Sequence, residues 1–229
     1  SGLHQIPIVD PDLRVIGLKT VDDFLCLANR ENPVVIMAGG LGSRLNELTR
    51  ERPKPMLPVG GRPLLEMIVN RFVTQGFSRI WLAVNYRAEV IEAYFGDGRA
   101  FGADIRYLRE GKRLGTAGAI SLLPAEIEQP VIVSNADLVA NLDYPELVDA
   151  HTSSGAVATM AVREHEYPIP FGVVMESGGW IERIDEKPVH RVVVNAGVYV
   201  LSPEAIRRVP HDTYFDMPQL FESLITERE

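Results

Sequence analysis

One cysteine, Cys26, is all the thiol this sequence carries. That excludes an intrachain disulfide framework and a cysteine-rich zinc site. It fits a reducing compartment, and the expected location is cytoplasmic. No run approaches 18 apolar residues free of charge, so no membrane-spanning helix is expected. Basic residues are outnumbered by acidic ones, 23 to 31, for a net charge of -8. The deficit argues against a broad nucleic-acid surface but leaves room for a local basic pocket for phosphates. The five histidines, His4, His151, His165, His190 and His211, form no i,i+4 pair and so no zinc motif. No Gly-x-Ser-x-Gly elbow supports hydrolase chemistry, and no fixed-period repeat or low-complexity tract occurs. No basic segment precedes an apolar core at the start. Ser1-Gly2 reads as a scar of tag removal rather than the head of a signal peptide.

What is present is an ordinary globular composition, 46% hydrophobic and 24% charged over 229 residues. At about 150 residues per domain that is roughly one and a half domains. The rhythm divides unequally. In residues 3 to about 25, two short apolar runs flank Asp10-Pro11-Asp12, which predicts a hairpin, and Thr20 would cap a short helix. Asn29 to Asn32 reads as a linker. From Pro33, buried strands at Val34–Met37, Ile80–Val84, Ile105–Leu108 and Val131–Ser134 alternate with helices. Those helices are expected over Arg62–Gln75, Arg87–Phe95, Gly115–Leu123 and Tyr144–Thr152. Strands at Val157–Val162, Val173–Met175, Ile181–Ile184 and Val192–Leu201 follow. The alternation predicts a three-layer α/β/α Rossmann-like fold on a mixed, mostly parallel central sheet. Trp81 and Trp180 are expected in the core or at its edge, and Cys26 reads as a small apolar residue.

The most informative stretch begins at Met37-Ala38-Gly39-Gly40-Leu41-Gly42-Ser43-Arg44 and runs to Lys54-Pro55-Met56-Leu57-Pro58. A buried strand opening into three glycines lets backbone N–H groups approach a phosphate closely. No Gly-Lys-Ser/Thr follows, so it is not a P-loop. Leu45 stands where a dinucleotide fingerprint needs its third glycine. Arg44 and Lys54 offer a planar fork and a point charge, the pair suited to a triphosphate.

These residues resemble the opening of the sugar-nucleotide pyrophosphorylases, with Glu47 where proline is usual. The likeness continues through Gly115-Thr-Ala-Gly-Ala, Asn135-Ala136-Asp137, Glu186-Lys187-Pro188 and Asn195-Ala-Gly-Val-Tyr. It is closest to the mannose-1-phosphate guanylyltransferase-like subgroup that carries CBS domains ahead of the enzyme. The resemblance implies that residues 1–28 are the closing hairpin of a CBS domain plus a linker. It implies a nucleotidyltransferase domain over 33–229, truncated at its C-terminus. A CBS pair would supply a regulatory nucleotide site in the full-length protein only.

Asp137 stands just past the carboxyl end of a buried strand, the edge where α/β sheets bind ligands. One carboxylate plus phosphate oxygens suits Mg²⁺, and the resemblance gives Asp137 that role. The resemblance also implies a second metal ligand in a Trp-x-Asp-Ile-Gly segment, which is expected beyond residue 229. Asp216 reads instead as the N-cap of a last helix. Gly115 and Thr116 open a helix after a loop, and their backbone donors would meet the nucleotide, alongside Ala38, Gly39, Gly40 and Gly42. Glu110 precedes that turn. Guanine offers N1–H and the N2 amino group, two donors that one carboxylate accepts together, so Glu110 leans towards GTP. The resemblance makes Glu186 a sugar-hydroxyl acceptor and Lys187 a sugar-phosphate contact. Gly172 would let a sugar pack on backbone, and Asn195 can donate to and accept from a sugar hydroxyl.

The expected reaction is nucleotidyl transfer. An NTP, GTP before others, meets a sugar 1-phosphate, with Arg44, Lys54 and Asp137 at the reacting phosphates. Two rivals are a metal-dependent glycosyltransferase and a non-catalytic nucleotide sensor coupled to CBS domains. A glycosyltransferase usually shows Asp-x-Asp, where this chain has Asn135-Ala136-Asp137. Neither nucleic acid nor membrane is an expected partner, and a homo-oligomer stays open.

Overall fold

The computed structural model of the protein describes residues 5–11, 14–20, 29–40, 49, 52–139 and 141–227. Strands β1 (Gln5–Val9) and β2 (Val15–Thr20) pair antiparallel, as the two apolar runs predict. The turn closes by local bonds: the Asp10 amide donates to the Arg14 carbonyl at 3.0 Å, and the Arg14 amide to Asp10 Oδ1 at 2.9 Å. The helix expected after Thr20, and Cys26 with it, falls outside the described residues.

The main body starts with β3 (Val34–Met37). A two-residue ladder, β4 (Pro58–Val59) and β5 (Arg62–Pro63), leads into α1 (Leu64–Thr74). Arg62 is spent on that ladder, which is why α1 begins two residues later than its apolar spacing suggests. Then come β6 (Arg79–Val84), α2 (Ala88–Phe95), β7 (Asp104–Arg109), β8 (Val131–Asn135) and α3 (Tyr144–Ser154). Asp143 caps α3 by accepting from the Glu146 amide. The strand-rich half follows as β9 (Ala158–Pro168), β10 (Gly172–Ser177), β11 (Trp180–Glu186) and β12 (Val189–Leu201). A short α4 (Pro203–Arg207), not foreseen, and α5 (Met217–Glu227) close the described chain.

Six strands form one sheet in the order β7-β6-β3-β8-β12-β9. β7, β6, β3 and β8 are parallel, while β12 runs antiparallel to both β8 and β9. The expected mixed, mostly parallel sheet is therefore present. Its central strands are apolar along most of their length because each face has its own core. Val34, Ile36, Ile80, Leu82 and Ile132 pack with Leu65, Phe72, Ile91 and Tyr144 of α1, α2 and α3. Their alternates Val35, Trp81, Ala83, Val131 and Val133 pack with Ile120, Ala205, Leu220 and Leu224 on the other side. Period-2 side-chain direction sends successive residues to opposite layers, which is how one continuous apolar run serves two cores.

Two expectations are corrected. The helix predicted over Gly115–Leu123 is a single 3-10 turn, Gly118–Leu122. The amides that would begin a longer helix are tied to a distant segment, described below. Trp81 is core, but Trp180 is 80% exposed on the β10–β11 ribbon, which among the described residues pairs only with itself.

Candidate functional site

The strand order reverses between β3 and β8. From β3 the chain runs to β6 and β7 on one side, and then returns to β8 on the other. Open α/β sheets bind ligands in the crevice at such a point, beyond the carboxyl ends of the strands. Met37 and Asn135 are register partners, so the segments beginning at Ala38 and Ala136 leave the sheet side by side. Ala38 is fully buried, and its amide donates to the Ala83 carbonyl at 2.8 Å. At Gly39 a Cβ would come 2.5 Å from Glu110 Oε1 and 3.3 Å from Asn85 Cβ. Glycine there admits the Glu110 carboxylate against the backbone. A Cβ at Gly40 would meet nothing within 4 Å, so that position opens onto free space. Gly42 and Arg44 lie outside the described residues.

Lys54 and Asp137, 83 residues apart, are brought together: Lys54 Nζ lies 2.5 Å from Asp137 Oδ2. Lys54 begins a 3-10 turn, Lys54–Met56, held between Pro53 and Pro55, with the Met56 amide bonded to the Pro53 carbonyl at 2.8 Å. Pro55 and Met56 are buried, so the backbone is fixed while the ammonium reaches outward. The two side chains keep 37% and 43% of their surface exposed, which leaves both accessible to a ligand. Among the described residues no group of three or more metal-ligating side chains gathers. Among those residues Asp137 offers a hard carboxylate donor outside any such group. That fits Mg²⁺, which takes one or two carboxylates and fills the rest of its shell with phosphate oxygens and water.

Glu110 follows β7 and is half-buried. Its Oε2 accepts from the Leu114 amide at 3.1 Å. Burial pushes its carboxyl above the ordinary value, against the Leu114 bond and nearby Arg113. Asn85, which the sequence reading overlooked, holds this corner: its Nδ2 donates to the Glu110 carbonyl at 2.9 Å. A polar residue directly after a buried strand was the available signal.

The Gly115-Thr116 turn differs from expectation. Its backbone donors were expected to face the nucleotide. Instead the Thr116 amide donates to Asp216 Oδ1 at 2.8 Å, and the Ala117 and Gly118 amides both donate to the Phe215 carbonyl at 3.0 Å. Asp216 correspondingly does not cap α5 with its carboxylate. The Thr116 hydroxyl accepts from the Met217 amide at 2.9 Å, and Gln219 Oε1 accepts from the Asp216 amide at 2.8 Å. Gly115, at φ 80°, is required where it stands, since a Cβ would lie 2.7 Å from the Phe215 carbonyl oxygen.

The residues expected to face the sugar lie along one arm. Gly172 and Glu186 are register partners across the β10–β11 ribbon, with Glu186 Oε2 3.0 Å from where a Gly172 Cβ would be. Lys187 follows in the left-handed region at φ 47°, exposed. β12 then returns to Asn195, whose Nδ2 donates to the Tyr199 hydroxyl and whose Oδ1 accepts from the Gly197 amide, both at 2.7 Å. These bonds hold an irregularity between Asn195 and Tyr199 where β12 leaves its β9 register. Gly197 packs there on Asn135, two residues before Asp137, and on Leu138, the residue after it.

A family model described as nucleotidyl transferase matches residues 33–219. A mannose-1-phosphate guanylyltransferase of Mycobacterium tuberculosis is 33% identical over 190 residues, covering 80% of this chain and 52% of its own length. A mannose-1-phosphate guanyltransferase of Schizosaccharomyces pombe is 33% identical over 205 residues, covering 85% of this chain and 56% of its own. The chain thus spans about half the length of the curated relatives it matches. Among solved structures, HddC from Yersinia pseudotuberculosis complexed with GMP-PN superposes with a TM-score of 0.63 at 29% identity, covering 81% of this chain and 82% of that one.

Proposed function

The chain belongs to the nucleotidyl transferase family, and from that premise we propose that it transfers a nucleotidyl group from GTP to a sugar 1-phosphate, releasing pyrophosphate and forming an NDP-sugar. The observation that carries the reading is the Lys54–Asp137 pair, set at the sheet's switch point beside the Gly39-Gly40 opening. The guanylyltransferase relatives and the nucleotide complex of the Yersinia neighbour support the choice of GTP.

In this reading an oxygen of the sugar 1-phosphate attacks the α-phosphorus in line. The bond from the α-phosphorus to the bridging oxygen breaks, and that oxygen leaves with pyrophosphate. No protein nucleophile is needed, so catalysis is positioning and charge stabilisation. Gly39, Gly40 and Gly42 bring backbone donors close to the phosphates, and Arg44 and Lys54 neutralise the triphosphate. Asp137 would hold Mg²⁺, which when bound would offset negative charge on the phosphates. Lys54 has to exchange its partner, from Asp137 to a phosphate oxygen, as substrate enters. Glu110 accepts from guanine N1–H and N2. Glu186 and Asn195 contact sugar hydroxyls, Lys187 binds the sugar phosphate, and Gly172 leaves room for the ring. The β1–β2 hairpin is read as the close of a CBS motif that serves a regulatory nucleotide in the full-length protein.

The test is a matrix of NTPs against sugar 1-phosphates on the natural full-length protein with Mg²⁺, read as pyrophosphate release. Release with GTP and one sugar 1-phosphate is expected. Tight nucleotide binding without turnover would favour a sensor instead.

A further inference from the structure

The segment after α4 closes over the Glu110–Ser121 loop by contacts at both ends. Lys112 pairs with Asp212 at 3.1 Å, the Asp212 amide donates to Ser121 Oγ at 3.2 Å, and the Phe215 amide donates to the Leu114 carbonyl at 2.9 Å. At the centre is Asp216. Its Oδ1 accepts from both the amide and the hydroxyl of Thr116, at 2.8 and 3.0 Å, and its Oδ2 accepts from the Tyr214 hydroxyl at 2.7 Å. Burial pushes this carboxyl up, but the bonds from Tyr214 and Thr116 outweigh it and hold Asp216 below the usual carboxylate range. It is therefore ionised whenever the protein is folded near neutral pH.

The contacts run onward to the base corner. Leu114, bonded through its carbonyl to Phe215, gives its amide to Glu110 Oε2, and Glu110 Oε1 lies against Gly39. Gly115 and Gly118 leave no room for a side chain between the two segments: a Cβ at Gly118 would lie 2.5 Å from the Thr213 carbonyl oxygen. We propose that Asp216 is a positioning residue for base recognition, fixing the Leu114–Thr116 turn so that the Glu110 carboxylate is held at the angle that selects guanine. This rests on the reading of Glu110 as the base acceptor. Asp216 itself touches no substrate; it acts through Thr116 and Leu114.

The experiment compares wild type, Asp216→Ala and Asp216→Asn in the full-length protein. Hydrogen exchange is read at amides 114–118, and equilibrium binding of GTP and UTP is measured alongside. Asn keeps an acceptor for Thr116 and can donate to the Tyr214 hydroxyl, so it should restore most of what Ala loses. Asp216→Ala should speed exchange across 114–118 and weaken GTP binding about 5- to 30-fold, about 1–2 kcal/mol of lost positioning. UTP binding should change far less, and KM for GTP should rise with little change in kcat. Unchanged exchange in Asp216→Ala overturns the claim that Asp216 fixes the Leu114–Thr116 turn. Faster exchange with an unchanged GTP/UTP ratio leaves a purely structural link and overturns the positioning role. A wild type that does not itself distinguish GTP from UTP removes the Glu110 reading and this proposal with it, whereas a selective wild type with an unchanged ratio in Asp216→Ala overturns the positioning role alone. If Asp216→Ala does not fold, Thr116→Val, which loses only the hydroxyl bonds, must show the same selective loss on a smaller scale.

Discussion

At the scale of the residue, Lys54 and Asp137 separate function from stability. An ion pair with both partners more than a third exposed contributes at most about 1 kcal/mol to folding. In the proposed reaction the same two groups meet the reacting phosphates. Lys54→Ala is therefore expected to lower pyrophosphate release by roughly 10²- to 10³-fold, the scale for losing one charge-stabilising group. The thermal midpoint should shift little; both are measured on one preparation. Glu110 is tested by Glu110→Gln, which keeps the shape but turns one acceptor into a donor facing a guanine donor. GTP use should fall by about 1–3 kcal/mol in kcat/KM, the cost of an unsatisfied buried polar group, and UTP use should fall less or rise. An unchanged ratio would take Glu110 out of the base site. The residue types in this corner were legible in sequence. Asn85, Phe215 and Asp216 were not, because their roles arise only where β6, β7 and the segment before α5 converge.

At the scale of the element, the junction between β12 and β8 deserves a direct test. Gly197 sits at φ 71°, and a Cβ there would lie 2.5 Å from Leu138 Cδ1. Gly197→Ala combines a left-handed backbone with a clash beside Asp137, so it should destabilise the fold by about 1–3 kcal/mol in urea titration. A second element-level device is buried. His151 on α3 reaches Thr159 Oγ1 on β9 at 2.8 Å and Ser202 Oγ ahead of α4 at 3.0 Å, and it is 2% exposed. Burial holds its imidazole below the ordinary value. The unfolded chain takes a proton near pH 6.5 while the folded one refuses it until lower pH. The unfolded state then binds more protons, so this contribution is complete above about pH 6.5 and is lost as pH falls below it. The urea midpoint of wild type should drop more steeply from pH 7.5 to 5.5 than that of His151→Gln.

At the scale of the whole molecule, the sequence places a division near Asn29–Asn32. The β1–β2 hairpin pairs within itself, whereas the chain joins the main body at Arg30. There the Arg30 guanidinium forks onto both Asp149 carboxylate oxygens, and the Arg30 amide bonds to the Gly76 carbonyl at 2.8 Å. A protein starting at Asn29 is expected to unfold in one transition with a midpoint within about 2–4 °C of the parent, the shift that about 1 kcal/mol produces in a domain of about 200 residues. Differential scanning calorimetry on the two chains checks it, and loss of the transition would make the hairpin part of the domain.

What the sequence determined was local and periodic. Uninterrupted apolar runs specified strands buried on both faces, and the glycine-rich exit from β3 and the carboxylate just past β8 marked one sheet edge. Those signals need only neighbours along the chain. What tertiary structure decided depended on partners far away. Gly115–Leu123 carries helical spacing, yet its first amides bond to Phe215 and Asp216, about 100 residues on, so the helix shrinks to one turn. The same distant carbonyl and carboxylate took donors that the sequence had assigned to a ligand. Lys54 met Asp137 because two loops leave adjacent parallel strands in register, a juxtaposition that sheet order creates and that no spacing along the chain can encode.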